Sequence, residues 1–184
     1  MTIKWYTGTG DDGYTGVLGR ERVPKYADRP AAYGTVDEAS AVLGMVRIQA
    51  KDKQVRQLAL AIQRDLYKLM ADLATLPETA TRPPWLSEDR LSWLEQKTEA
   101  LGKRVEMPPA FIIPGDSIGG AWLDIARTVV RRAERIVAKL THDGEVRTAT
   151  PLRYLNRLSS LLFVMARVED RVEGVEQFTL ATGE

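Results

Sequence analysis

Leucine and other apolar residues recur every three or four positions in five separate stretches of this chain, and prolines or glycines punctuate the gaps. At about 100° of rotation per residue, such spacing lines one side of an α-helix. The first stretch runs from about Ala31 to Gln49, with Val36, Leu43 and Val46 on its apolar side. The second, about Lys53 to Leu76, carries Leu58, Ile62, Leu66, Leu69 and Leu73 in near-heptad spacing. Residues 79–84 read as a linker closed by Pro83-Pro84. The third stretch starts after a capped turn at Ser87, carries Leu91, Leu94, Thr98 and Leu101, and ends by about Val105, ahead of Pro108-Pro109. The fourth follows Pro114-Gly115, with Asp116 or Ser117 available as its cap, and Gly144 closes the turn after it. The fifth takes Thr150 as cap and Pro151 as first helical residue, and turns Leu152, Leu155, Leu158, Leu162, Met165 and Val168 inward. Five helices on short connections predict an all-α fold, a five-helix bundle. A 44% hydrophobic fraction over 184 residues can build one core, so a single domain is expected. Its parts are an N-terminal segment 1–30, a bundle 31–172 and a polar tail 173–184 that Phe178 and Leu180 can anchor.

The fourth stretch is amphipathic in an unusual way. Trp122, Ile125, Ala126, Val129, Ala133, Ile136, Val137 and Leu140 fall on one side. Arg127, Arg131 and Glu134 fall together on the other, with Asp124 near them and Arg132 and Arg135 flanking. Two arginines at i, i+4 repel by only about 0.2–0.5 kcal/mol, so a solvated basic face is the leading reading of this stretch alone. The sharper one is convergence on a polyanion, because guanidinium forks match phosphate oxygens.

Residues 1–30 have another character. Gly8, Gly10, Gly13, Gly16 and Gly19 alternate with threonines and aspartates, a chemistry that turns backbone N–H groups toward an anion. The run Gly8-Thr9-Gly10-Asp11-Asp12-Gly13 matches G-x-G-x-x-G, but no buried strand precedes it and no helix opens directly after it, which excludes a dinucleotide fold. What remains is a Gly/Thr-rich loop able to bind phosphates, with Lys25 as a nearby cation; a flexible arm is the alternative, though one rarely carrying Trp5, Tyr6 and Tyr14. The other exclusions come from composition. Net charge is +1, which makes no general case for nucleic acid or an acidic membrane surface. The chain has no cysteine and a single histidine, His142, so thiolate or histidine-rich metal sites and cysteine nucleophiles cannot be built. The start MTIKWYTGTG lacks a signal-peptide run and no window approaches a membrane span, so a cytoplasmic setting is expected.

Four separated stretches then line up together: Tyr6 to Thr15; Ala32-Tyr33-Gly34-Thr35-Val36-Asp37-Glu38; Phe111 to Gly115 followed by Ala126 to Arg135; and Tyr154 to Ser159. In this order and spacing the chain resembles the PduO-type ATP:cob(I)alamin adenosyltransferases, from Tyr6 to about Arg167. The resemblance implies a five-helix bundle, usually a homotrimer, with ATP and the corrinoid meeting near subunit interfaces. It implies transfer of the 5′-deoxyadenosyl group of ATP to cob(I)alamin, giving adenosylcobalamin and triphosphate, with Mg²⁺ on the phosphates. On the matching positions, ATP would meet Thr7, Gly8, Thr9, Gly10, Asp11, Gly13, Thr15, Lys25, Arg131, Glu134 and Asn156. Arg131 and Arg132 would neutralise the leaving triphosphate, Phe111 would pack on the corrin, and Asp37 with Arg127 would form an intersubunit ion pair shaping the corrinoid pocket. A reductase and a cobalamin-dependent mutase are partners it suggests.

The chemistry suits the composition: cobalt is the nucleophile, so the protein needs none of its own and must instead orient substrates and stabilise charge. Three positions depart from the pattern. Asp12 stands where lysine is common, Ser160 where aspartate is usual, and Ala31 where glutamate is frequent. They motivate an alternative, a protein that holds ATP and adenosylcobalamin and delivers the cofactor with little turnover.

Overall fold

A computed structural model describes residues 4–19 and 22–182. Two short strands, β1 (Tyr14–Gly16) and β2 (Arg22–Pro24), pair antiparallel with Thr15 opposite Val23. Five helices follow: α1 (Asp28–Gln49), α2 (Lys53–Ala74), α3 (Asp89–Gly102), α4 (Ile118–His142) and α5 (Thr150–Val172). A 3₁₀ turn at Pro77–Thr79 lies between α2 and α3. The all-α five-helix architecture is therefore as expected, with helix ends within a few residues of the periodicity. The hairpin within the N-terminal segment is an addition: three residues per strand are too few for a period-2 pattern to show.

Helix α4 is the centre of the bundle. It packs most extensively against α5 and α1, α1 also lies along α2, and α3 covers α5. Burial on two sides widens its inner face beyond the stripe the sequence suggested. Leu123, Asp124 and Val130 point inward, whereas Ile125 is 45% exposed. Asp124, read from sequence as part of the polar side, is thus a core residue.

Capping also differs in places. Ser117 caps α4, accepting from the Gly120 N–H at 2.9 Å, while Asp116 instead accepts from Thr179. Thr150 is the first helical residue of α5, not its cap; Ala149 takes that place without a side-chain bond, and the buried Thr150 hydroxyl turns to Glu88. Ser87 likewise gives α3 only its backbone carbonyl.

Three buried clusters of charge tie the helices. Arg29, 5% exposed, donates to the Leu73 carbonyl at the end of α2 and to the Glu145 carbonyl beyond α4. Asp65 of α2 accepts from Arg90 of α3 and from the Tyr154 hydroxyl of α5 at 3.0 Å; burial first, then the Asp65 charge, pushes that phenol well above its ordinary value. At the start of α4, Ser117 Oγ donates to Asp170 at 2.6 Å and the Gly119 N–H to Glu173 at 2.8 Å, so α5 carboxylates complement the positive end of the helix. Glu169 beside them accepts from the Lys51 and Asp52 N–H groups of the α1–α2 turn, and burial raises the pKa of both Glu169 and Asp170 above the ordinary carboxylate range.

This junction leaves no room for a side chain at Gly120, where a Cβ would lie 2.1 Å from Asp170 Oδ1 and 2.7 Å from Ser117 Oγ. Gly120→Ala is expected to destabilise the protein by on the order of 1–3 kcal/mol, against the usual helix preference for alanine. Urea unfolding of the variant checks this; a midpoint at or above wild type would refute it.

Candidate functional site

The glycine-rich loop is folded on itself. Gly8 and Gly13 take φ of 73° and 83°, and the Asp11 and Gly13 N–H groups donate back to Gly8 and Gly10 carbonyls at 3.2 Å. The Thr7 and Thr9 hydroxyls are 2.8 Å apart. Lys25, just past β2, donates Nζ to the Gly10 carbonyl at 2.7 Å, and its backbone N–H donates to Gly13 at 2.9 Å. Thr15 lies on β1, half-buried. The loop is hung from the end of α2 by the Leu18 N–H on the Ala74 carbonyl at 2.7 Å.

A second cation of this loop was not singled out from the sequence. Arg22 forks onto Asp12 with two 2.8 Å bonds and donates from Nη2 to the Thr9 carbonyl at 2.6 Å. Its hydrogen bond holds the Asp12 carboxyl below the usual range. The acid that replaces a common lysine is therefore neutralised from the opposite strand. The available signal was the unusual acid itself, which asks for a partner cation.

On α4, Arg127 and Arg131 border one shallow depression with Thr98, Ser159, Ser160, Phe163 and Val164. The Arg131 guanidinium is exposed and makes no hydrogen bond or ion pair among the described residues; only its carbonyl is used, by Arg135 at 3.0 Å. Arg132 pairs with Glu38 of α1. Glu134 accepts from Asn156 Nδ2 at 2.8 Å, which joins α4 to α5. Arg127 also edges a second, more apolar depression, which Asp124 borders together with Pro114, Gly115, Ala121, Ile125 and Thr128. Its Nε donates to Asp124 at 2.8 Å. Asp37 is exposed on α1 and has no bonded partner among the described residues; it and Arg127 are not joined within the chain.

Phe111 stands 88% exposed on the loop before α4. Its backbone is far from free. The tail after α5 runs beside it: the Ala181 N–H donates to the Phe111 carbonyl at 2.8 Å, the Ile113 N–H to Thr179 at 2.7 Å, and Asp116 takes both the N–H and the hydroxyl of Thr179. Phe178 is buried against Arg167 and Arg171. Phe178 is thus an anchor, whereas Leu180, 36% exposed, contributes mainly backbone pairing with Ile112.

The loop cations, the α4 arginines and Phe111 occupy separate places on one chain. No hydrogen bond or ion pair joins residues 7–15 to Arg127, Arg131 or Arg132 among the described residues.

Residues 5–169 match the family model described as cobalamin adenosyltransferase. The chain is 39% identical over 166 residues to the corrinoid adenosyltransferase PduO of Salmonella typhimurium, covering 90% of this chain and 49% of that protein. It thus spans about half the length of that relative. It is 40% identical over 167 residues to the corrinoid adenosyltransferase of Mycobacterium tuberculosis, covering 89% of this chain and 86% of that protein. Among solved structures, a variant of the PduO-type ATP:corrinoid adenosyltransferase from Lactobacillus reuteri, complexed with cobalamin and ATP, superposes with a TM-score of 0.91 at 29% identity over 98% of this chain and 100% of that one. A second variant of the same enzyme, complexed with ATP, gives 0.87 at 29% identity over 96% and 99% of the two chains. Nearly the whole bundle, the glycine loop and the arginine helix fall within these matches, and the chain belongs to the cobalamin adenosyltransferase family.

Proposed function

We propose that this protein transfers the 5′-deoxyadenosyl group of ATP to cob(I)alamin, releasing adenosylcobalamin and triphosphate. The observation that carries the reading is the position of Arg127 between two depressions, one apolar and one lined by Arg131, whose side chain has no partner among the described residues. An apolar shelf suits a corrin face, and a free guanidinium suits a phosphate. In the step, a Co–C bond forms at the 5′ carbon, the C5′–O bond breaks, and its electron pair leaves on the triphosphate. Arg131 and Arg132 stabilise that developing charge, and Glu134 with Asn156 sets the nucleotide edge of the site. Thr7, Gly8, Thr9, Gly10, Asp11, Gly13 and Thr15 would line the phosphate site, the Asp11 and Gly13 N–H groups first leaving the Gly8 and Gly10 carbonyls that hold them, with Lys25 as cation. Mg²⁺ would enter with the nucleotide and share in neutralising the triphosphate charge. Phe111 would lie against the corrin.

The separation of loop and arginines within one chain supports a homotrimer whose sites take the loop of one copy and α4 of the next. Among the described residues, the Asp37 carboxylate and the terminal nitrogens of Arg127 have no partner, which supports their pairing across that interface. A reductase supplying cob(I)alamin and a mutase using the product are the implied partners, in a cytoplasmic setting. No described helix is long and apolar enough to cross a membrane.

Mixing the protein with ATP and chemically reduced cob(I)alamin, and following adenosylcobalamin and triphosphate together, tests the reading. Repeated turnover is expected. Binding of both ligands without triphosphate release would favour the delivery protein that Asp12 and Ser160 suggested. Sedimentation should show a trimer, and an active monomer would exclude the shared site.

A further inference from the structure

A cluster of buried charges adjoins Arg127. Arg167 of α5 is 1% exposed and Asp124 of α4 is 3% exposed. Arg167 Nη2 donates to Asp124 Oδ2 at 2.6 Å, and its Nε lies 2.8 Å from Asp170 Oδ2, close enough for an ion pair though not aligned as a hydrogen bond. Asp170 is held in turn by the Ser117 hydroxyl. The other oxygen of Asp124 is taken by Arg127 Nε. Two acids and two arginines thus balance in charge, and three of the four are inside the core.

We infer that Asp124 and Arg167 are positioning residues that aim Arg127 at the corrinoid shelf. The inference rests on the function proposed above. An arginine at i+3 from an exposed acid gains little order, because both side chains keep their rotamer freedom. Here the acid is fixed by a buried partner on another helix, so its free oxygen is a fixed acceptor. Binding Arg127 through Nε leaves both terminal nitrogens without partners in the chain among the described residues. Those nitrogens remain available at a side chain that borders both depressions, for any acid brought to it. Arg167 touches neither depression, yet sets where that side chain stands.

Asp124→Asn tests this. Asparagine has one acceptor oxygen where aspartate has two, so it cannot serve both arginines. The expected result is a loss of about 10- to 100-fold in kcat/KM for the corrinoid, with the KM for ATP unchanged, as for a misplaced orienting group. In an Arg127→Ala background the same substitution should cause no further loss, because it acts through the missing side chain. Additive losses, a parallel rise in the KM for ATP, or wild-type kinetics in Asp124→Asn would each overturn the inference. If the single variant does not fold, Asp124→Asn with Arg167→Gln and Asp170→Asn leaves neutral amides in the core and faces the same outcomes. Arg127→Ala alone separates the two levels. If it is fully active, the corrinoid assignment of Arg127 fails; if it is impaired while Asp124→Asn is not, only the positioning inference fails.

Discussion

Arg131→Ala is expected to lower adenosyl transfer by about 10²–10³-fold, the usual loss when one preorganised partner of a developing anion is removed. The fold should not register the change. Arg131 is exposed, its side chain has no partner among the described residues, and Arg135 uses only its carbonyl, which alanine retains. Arg132→Ala should give a loss of similar kind. It also breaks the ion pair with Glu38, but both side chains are about half exposed, and such pairs contribute little. Steady-state rates with ATP and cob(I)alamin, set beside melting curves, check both variants. Near-normal turnover in each would remove the phosphate role from α4.

The largest effect on stability is expected at Asp65. This carboxylate is 3% exposed and is the shared acceptor for Arg90 of α3 and Tyr154 of α5. Asp65→Ala leaves a fully buried phenol and a mostly covered guanidinium without their acceptor. The cost should be on the order of 3 kcal/mol, within the range for breaking one side of a buried pair. Tyr154→Phe removes a single donor and should cost about 1 kcal/mol, because Asp65 keeps Arg90. Denaturant unfolding of the two variants gives the order; a Tyr154→Phe loss equal to that of Asp65→Ala would show that the phenol, not the carboxylate, is the centre of the cluster.

Neither cluster could be read from periodicity. Leu58, Ile62, Leu66, Leu69 and Leu73 are all buried as their spacing indicates, because apolar side chains at helical period share one face that packs without needing specific partners. Asp65, Asp124, Arg167 and Asp170 are buried only because partners from other helices satisfy them. A one-dimensional pattern assigns every charge to solvent. The same limit hid Arg22, whose importance depends on a hairpin register, and the tail beside Phe111, whose bonds are mostly backbone and carry no side-chain signature. What could be read was the helix count and the placement of Arg127 and Arg131 on one face; the Asn156 bond to Glu134 across α4 and α5 could not. Asp124 shows the boundary between the two kinds of information. It sits three residues before Arg127, so their meeting is local, but its burial is decided by Arg167, forty-three positions away.

The Arg29 contacts bear on the rates of folding as well. This side chain ties residues separated by 44 and 116 positions, whereas α1 with α2 and α4 with α5 are joined by short turns. Closing the shorter loops costs less chain entropy, so those helix pairs can associate before the ends of the chain meet. Arg29 finds the Glu145 carbonyl only once α1 has met the end of α4. Those bonds are therefore expected to form late, so that losing them should speed the opening of the bundle more than it slows assembly.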